Sequence, residues 1–204
     1  MSWWAFAIIT HPEVQRRAHA ELDSVVGRSR TPIFSDAPNL PYIQAIVKEV
    51  LRWRPALALS LPHSTMEDDW YDGMFIPKGT LCLTNLWQCH HDPYYYGDDA
   101  ASFRPERFLD AQGEIIPGPS ETREEGHGTY GFGKRSCVGK YVANESLFIF
   151  IATALWAMTL ERASDKDGNE VQIDTEKFVD TGSVLYVYHP YTSSILIADL
   201  YLVS

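Results

Sequence analysis

The run Tyr130-Gly131-Phe132-Gly133-Lys134-Arg135-Ser136-Cys137-Val138-Gly139 sets one cysteine among glycines, just after an arginine, where a loop gives way to a long apolar helical pattern. A cysteine in such a place can hold a haem iron through its thiolate, and a thiolate favours O–O cleavage by pushing electron density onto iron. The chemistry to look for is therefore oxygen activation. Gly131 and Gly133 let the backbone turn tightly and lie against a flat ring with no Cβ in the way. Gly139 allows the helix to approach that ring. The helix is expected over Val138 to about Met158, and its unpaired N–H groups and positive dipole end favour the charged thiolate of Cys137. Arg135 offers a rigid fork of donors to a propionate. An isolated cysteine beside a glycine turn would read as a buried, inert thiol. The combined run favours the ligand.

Other constellations are weaker. Glu49 and Arg52 lie three apart on one expected helix face, and a surface ion pair there would be worth little. Arg107, in Pro105-Glu106-Arg107-Phe108, could add a second fork to the Glu49 carboxylate, which would then keep its charge even when buried. His63 reads, unaided, as an ordinary core or surface histidine. Cys89-His90-His91-Asp92 suggests metal, but adjacent ligands do not easily converge on one tetrahedral ion. The aromatic run Tyr94-Tyr95-Tyr96 reads as packing.

The elements that must position these groups follow from periodicity. Trp3 to Ile9 is apolar and reads as the last turns of a helix; it is too short to span a bilayer and lacks the flanks of a signal peptide. Thr10-His11-Pro12-Glu13 reads as a capping box for a helix with Val14, Ala18, Leu22 and Val25 on one face and Gly27 at its end. Residues 28–38 are a connector. Pro41 opens a second helix with the stripe Ile43, Ile46, Val47, Val50 and Leu51, and Pro55 stops it. Strand-like pieces follow at Ala56–Pro62, Tyr71–Ile76 and Leu81–Leu86, with a turn at Pro77-Lys78-Gly79-Thr80. Residues 98–129 read as a meandering loop. After the long helix, residues 165–168 read as a turn and 171–173, 184–188 and 194–198 as strands. The chain has 204 residues and a net charge of −10, which argues against nucleic acid as a partner. Three cysteines argue against a disulfide framework. No repeat, low-complexity segment or linker is visible.

With these motifs in order, the chain resembles the C-terminal part of a cytochrome P-450 monooxygenase of the microsomal type common in fungi. Glu49-Val50-Leu51-Arg52 resembles the family's Glu-x-x-Arg on its K helix, and Pro105 to Phe108 its meander motif. Tyr130 to Gly139 resembles the haem loop. Leu61-Pro62-His63 and Phe75 to Thr80 resemble the strands beneath the K helix. The resemblance implies an α+β, mainly helical fold: the end of the I helix, then J, K, meander, haem loop, L helix and small β-sheets. Residues 1–204 would form one partial domain, with the N-terminal half of the family's fold absent.

The resemblance further implies haem b (iron protoporphyrin IX) with Cys137 as axial iron ligand. Arg135 and His63 would meet propionates, and Tyr130, Phe132, Gly133 and Gly139 would line the ring. Glu49, Arg52 and Arg107 would form a structural triad. Ala56 to Ser60 and Gly182 to Leu185 would border the substrate. The family usually has Phe where this chain has Tyr130, so the phenol needs a partner or water for its hydroxyl. The acid–alcohol pair that delivers protons belongs to the central part of the I helix, so no catalytic residue is assigned within these residues. Residues 191–204 match nothing in the family's usual ending.

The function implied for the complete parent is monooxygenation of a small organic substrate, with electrons from an NADPH-dependent flavoprotein reductase. That partner would dock near Lys134, Arg135 and Lys140. The location implied is the cytosolic face of the endoplasmic reticulum membrane, with no span in this chain. The alternative is a truncated, inactive remnant or partial gene model that binds haem weakly or not at all. A third reading, peroxide rearrangement on the same haem, has no feature in its favour.

Overall fold

Nearly every side chain of the first helix, α1 (Ser2–Thr10), is apolar, and Trp4 to Ile9 are all buried. A helix that is hydrophobic all round belongs in a core. In this computed structural model, which describes residues 2–164, 167, 169–170 and 195–200, α1 packs against α2 (Pro12–Val25) and α3 (Pro41–Trp53). The capping box expected at Thr10 does not form. Thr10 is the last residue of α1, and its hydroxyl donates back to Phe6 O (2.8 Å) and Ala7 O (3.1 Å). His11 takes the N-cap position with no capping bond from its side chain to α2, and Pro12 needs no partner because it has no N–H. At the other end of α2, the N–H groups of Val26 and Gly27 both reach Leu22 O, at 2.9 and 3.2 Å. Gly27 carries the positive φ, +69°, that closes the helix.

The apolar stripe of α3 is buried at Ile43, Ile46, Val47 and Val50, while Leu51 is half-buried. Its N-terminus is capped from another helix. Glu21 on α2 accepts from Tyr42 N (2.8 Å) and Ile43 N (3.0 Å), satisfying two of the donors that a helix start leaves open. Burial pushes the Glu21 carboxyl up, opposed by these two bonds.

Between α3 and the meander the expected strands are shorter and differently bounded. Ala56–Pro62 is not a strand; pairing begins at β1 (His63–Ser64). Tyr71–Ile76 is the second half of a hairpin, β2 (Asp69–Tyr71) and β3 (Met74–Ile76), joined by Asp72-Gly73. Both turn residues have positive φ, the geometry that Asp-Gly supplies in two-residue hairpins. Leu81–Leu86 splits into β4 (Leu81–Cys82), antiparallel to β1 with His63 opposite Cys82, and the start of the short helix α4 (Leu86–His90). Asn85 causes the switch: its side chain accepts from Gln88 N and caps α4. A second short helix, α5 (Pro93–Tyr96), is capped by Asp92.

The meander, 98–129, contains single turns of 3-10 helix, including Pro105–Phe108. The long helix α6 (Lys140–Ala157) starts two residues later than expected, because Val138 and Gly139 complete the cysteine loop. It buries Phe148, Ile151, Ala152, Leu155 and Trp156 between α2 and α3. The chain then enters β5 (Met158–Arg162), antiparallel to β6 (Ile195–Leu200). Gln15 on α2 binds β5 like another strand: Nε2 donates to Leu160 O (2.9 Å) and Oε1 accepts from Leu160 N (2.7 Å). Asp167 lies in a turn, but the rest of the turn read at 165–168 is outside the described residues. So are the strands read at 171–173 and 184–188 and the segment Gly182–Leu185, while the strand read at 194–198 is observed at 195–200.

Candidate functional site

Two structures meet at the C-terminal half of α3, a buried ion cluster and the cysteine loop. Glu49 and Arg52 sit one turn apart, and neither side chain has any exposed surface. Arg52 Nε donates to Glu49 Oε2 and its Nη2 to Oε1, both at 2.7 Å. The remaining N–H groups of Arg52 reach the carbonyls of His90 (2.6 Å), Ala100 (2.7 Å) and Ser102 (2.9 Å). All five guanidinium donors are thereby used. Arg107 Nε adds a bond to Glu49 Oε1 at 3.0 Å, and Arg104 N adds another at 2.8 Å. Arg107 also holds Tyr96 O (2.7 Å) and Asp99 O (3.1 Å). One carboxylate thus gathers two guanidiniums, and the guanidiniums gather the backbone of α4, α5 and the meander.

His90 carries this order to the cysteine loop. It is buried, and its Nε2 accepts from Gly128 N at 2.9 Å, so the ring proton must be on Nδ1, which donates to Arg52 O at 2.8 Å. Burial lowers its pKa to about 4, which keeps the ring neutral and the tautomer fixed. Thr129 Oγ1 donates to Leu51 O at 2.7 Å, a second tie between loop and α3. Gly128 is held so closely that a Cβ there would lie 2.6 Å from Phe132 Cζ.

The loop folds back on itself. Cys137 N donates to Tyr130 O at 2.7 Å, and Gly131 and Gly133 take positive φ (+74° and +56°) to allow the reversal. Cys137 is exposed on the loop. Phe132 is 43% exposed, its ring resting partly on Gly128, and Val138 is 99% exposed, so this loop presents apolar surface to solvent. Gly139 has an ordinary φ of −85°, and a Cβ there would lie 3.8 Å from Cys137 Sγ, so the backbone does not demand glycine at this position. Arg135 and His63 are exposed, and their side chains make no hydrogen bond or ion pair among the described residues.

A soft sulfur on a glycine-turned loop, with a partly exposed phenyl ring and an exposed valine on it, suits a large flat iron-bearing ligand. The sequence model of the cytochrome P-450 family matches residues 1–182. The chain belongs to the cytochrome P-450 family. It is 54% identical to a cytochrome P-450 monooxygenase of Armillaria gallica, over 90% of this chain and 35% of the relative. A second such enzyme of that fungus is 47% identical over 91% of this chain and 36% of its own length. Cytochrome P-450 monooxygenase 58 of Postia placenta is 50% identical over 90% of this chain and 35% of the relative. The chain therefore spans about a third of the length of these P-450 relatives. Its mixed architecture of helices and small sheets is that of a partial P-450 fold.

Several residues that hold this P-450 loop were not singled out from sequence. His90 stood out only as part of a doubtful metal cluster. Nothing in the spacing of Lys48, Glu125 and Asn144 marks them as partners. Lys140 was assigned to a surface patch, and the structure corrects this. It is buried, with Nζ 3.0 Å from Glu125 Oε1, so only Lys134 and Arg135 of the three expected cations are exposed. The available signal was a lysine opening a helix whose later turns are apolar, with Asn144 one turn further on.

Proposed function

We propose that the chain is the haem-binding C-terminal part of a monooxygenase, with Cys137 as the axial thiolate of haem b. The observation that carries this reading is the loop: an exposed Cys137 with its amide bonded to Tyr130 O, and beside it Phe132, partly exposed, and Val138, fully exposed. Phe132, Gly133, Gly139 and the Tyr130 ring would face the macrocycle, and Arg135 and His63 would take its propionates. Bound there, haem supplies the oxygen activation that puts one atom of O2 into an organic substrate and releases the other as water. The protein's own work is placement. Glu49, Arg52, Arg107 and His90 hold the meander and the cysteine loop in register, and the exposed guanidinium of Arg135 supplies charge.

In the longer protein we assign electron delivery to an NADPH-dependent flavoprotein reductase, a small organic molecule as substrate, and the endoplasmic reticulum membrane as location. No helix among the described residues is long and apolar enough to cross a membrane.

A second reading has its own observation. Val138, Leu59, Leu61, Leu81 and Leu83 are all exposed apolar side chains, and uncovered apolar surface of this kind calls for a covering partner. On that reading the 204 residues alone bind haem weakly or not at all. One measurement separates the two. The purified chain is loaded with haem, reduced and exposed to carbon monoxide. A strongly red-shifted thiolate-type Soret band, absent in Cys137→Ala, is the expected result. A band of the neutral-ligand type, or no haem uptake, supports the second reading instead.

A further inference from the structure

Tyr130 stands half-buried at the start of the cysteine loop with its hydroxyl turned into the protein. Its hydroxyl is 2.6 Å from Asn144 Oδ1, and Asn144 Nδ2 is 3.0 Å from Glu125 Oε2. The amide must point its NH2 at the carboxylate, so its oxygen faces Tyr130 and the phenol must donate. Glu125 is buried and itself fixed. Lys140 Nζ lies 3.0 Å from Oε1 and Lys48 Nζ 3.5 Å from Oε2, while the same lysines donate to Arg123 O (3.2 Å) and Glu125 O (2.9 Å). Burial first, and then the Glu125 charge, push the Tyr130 phenol up, so the donor keeps its proton. On its main-chain side the same Tyr130 accepts the Cys137 amide at 2.7 Å. One residue thus joins the amide of the cysteine to a charged cluster spanning α3, the meander and α6.

We propose that Tyr130 is a positioning residue for Cys137, fastened through Asn144 and Glu125 so that the cysteine loop is locked to α3 and α6. A phenylalanine would keep the ring and lose the lock. The consequence for iron rests on the reading of Cys137 as its ligand, but the lock itself does not.

The test therefore begins without haem. Amide hydrogen exchange at Cys137 is measured in the 204-residue chain, together with the alkylation rate of its thiol in a Cys82→Ser, Cys89→Ser background, since both other cysteines are exposed. Tyr130→Phe is expected to speed exchange by roughly 3- to 10-fold, the loss of one hydrogen bond. Asn144→Ala is expected to match it, and the double variant to go no further than either. Circular dichroism checks that each variant is folded, and Asn144→Ala carries the test if Tyr130→Phe is not. Unchanged exchange in the folded variants, or effects that multiply in the double, overturns the lock. With haem bound, the reduction potential and the carbon monoxide band should shift equally in both single variants, which a purely structural loss would not do. If the wild-type chain takes up no thiolate-bound haem, the reading of the site fails, and the exchange data still decide on the lock.

Discussion

Glu49 keeps a charge in a place with no exposed surface because its two oxygens accept four hydrogen bonds, three of them from guanidiniums. Desolvation of such a charge is offset only while every partner remains. Glu49→Gln would leave two buried guanidiniums short of their counter-charge, and Arg107→Ala would uncover one side of the carboxylate. Each is expected to cost about 3–5 kcal/mol, read as a lower urea midpoint with an unchanged slope. Full stability in either variant would mean that the cluster is not what holds the meander. The pairing of Glu49 with Arg52 was legible from their spacing, since residues three apart share a helix face. Arg107 could be named as a partner, but the carbonyls of His90, Ala100 and Ser102 could not. They come from irregular backbone, which has no period to read.

At the scale of elements, α3 is the hub. Its N-terminus is capped from α2 by Glu21, and its C-terminal half organises the meander and the cysteine loop. Glu21→Ala removes both capping bonds and is expected to cost about 1–2 kcal/mol, less than the loss of Glu49. Thermal unfolding of the two variants side by side tests that order. The helices α1, α2, α3 and α6 were legible because proline, glycine and apolar spacing marked them, and α3 begins at Pro41 as expected, while the short α4 and α5 were not. The strands were not, because the pieces between 56 and 86 are only two or three residues long. A run that short shows no alternation, and its pairing is decided by turns such as Asp72-Gly73. The capping box at Thr10 failed for a related reason. The motif does not say whether the threonine already ends another helix.

At the scale of the whole molecule, four histidines among the described residues have pKa values lowered chiefly by burial: His19, His90, His91 and His127. His90 shows the sign. Unfolded, its imidazole takes a proton near 6.5; folded, only near 4. Between these values the unfolded chain holds more protons, so stability is complete above pH 6.5 and falls as pH falls towards 4. His90 alone accounts for a loss of about 3 kcal/mol. Urea midpoints should therefore drop between pH 7 and pH 4.5, and drop less in His90→Gln; a flat profile would contradict a neutral, buried His90. Among the hydrogen bonds of the described residues, Gln15 reaches far along the chain, to Leu160, 145 residues away. On a ribosome adding about 5–20 residues per second, Gln15 waits roughly 7–30 s for that partner to be made. Through that interval the Gln15 amide has only water to bind and the apolar face of α1 lacks its β5 neighbour, so the nascent chain carries uncovered apolar surface until its last helix and strand are made.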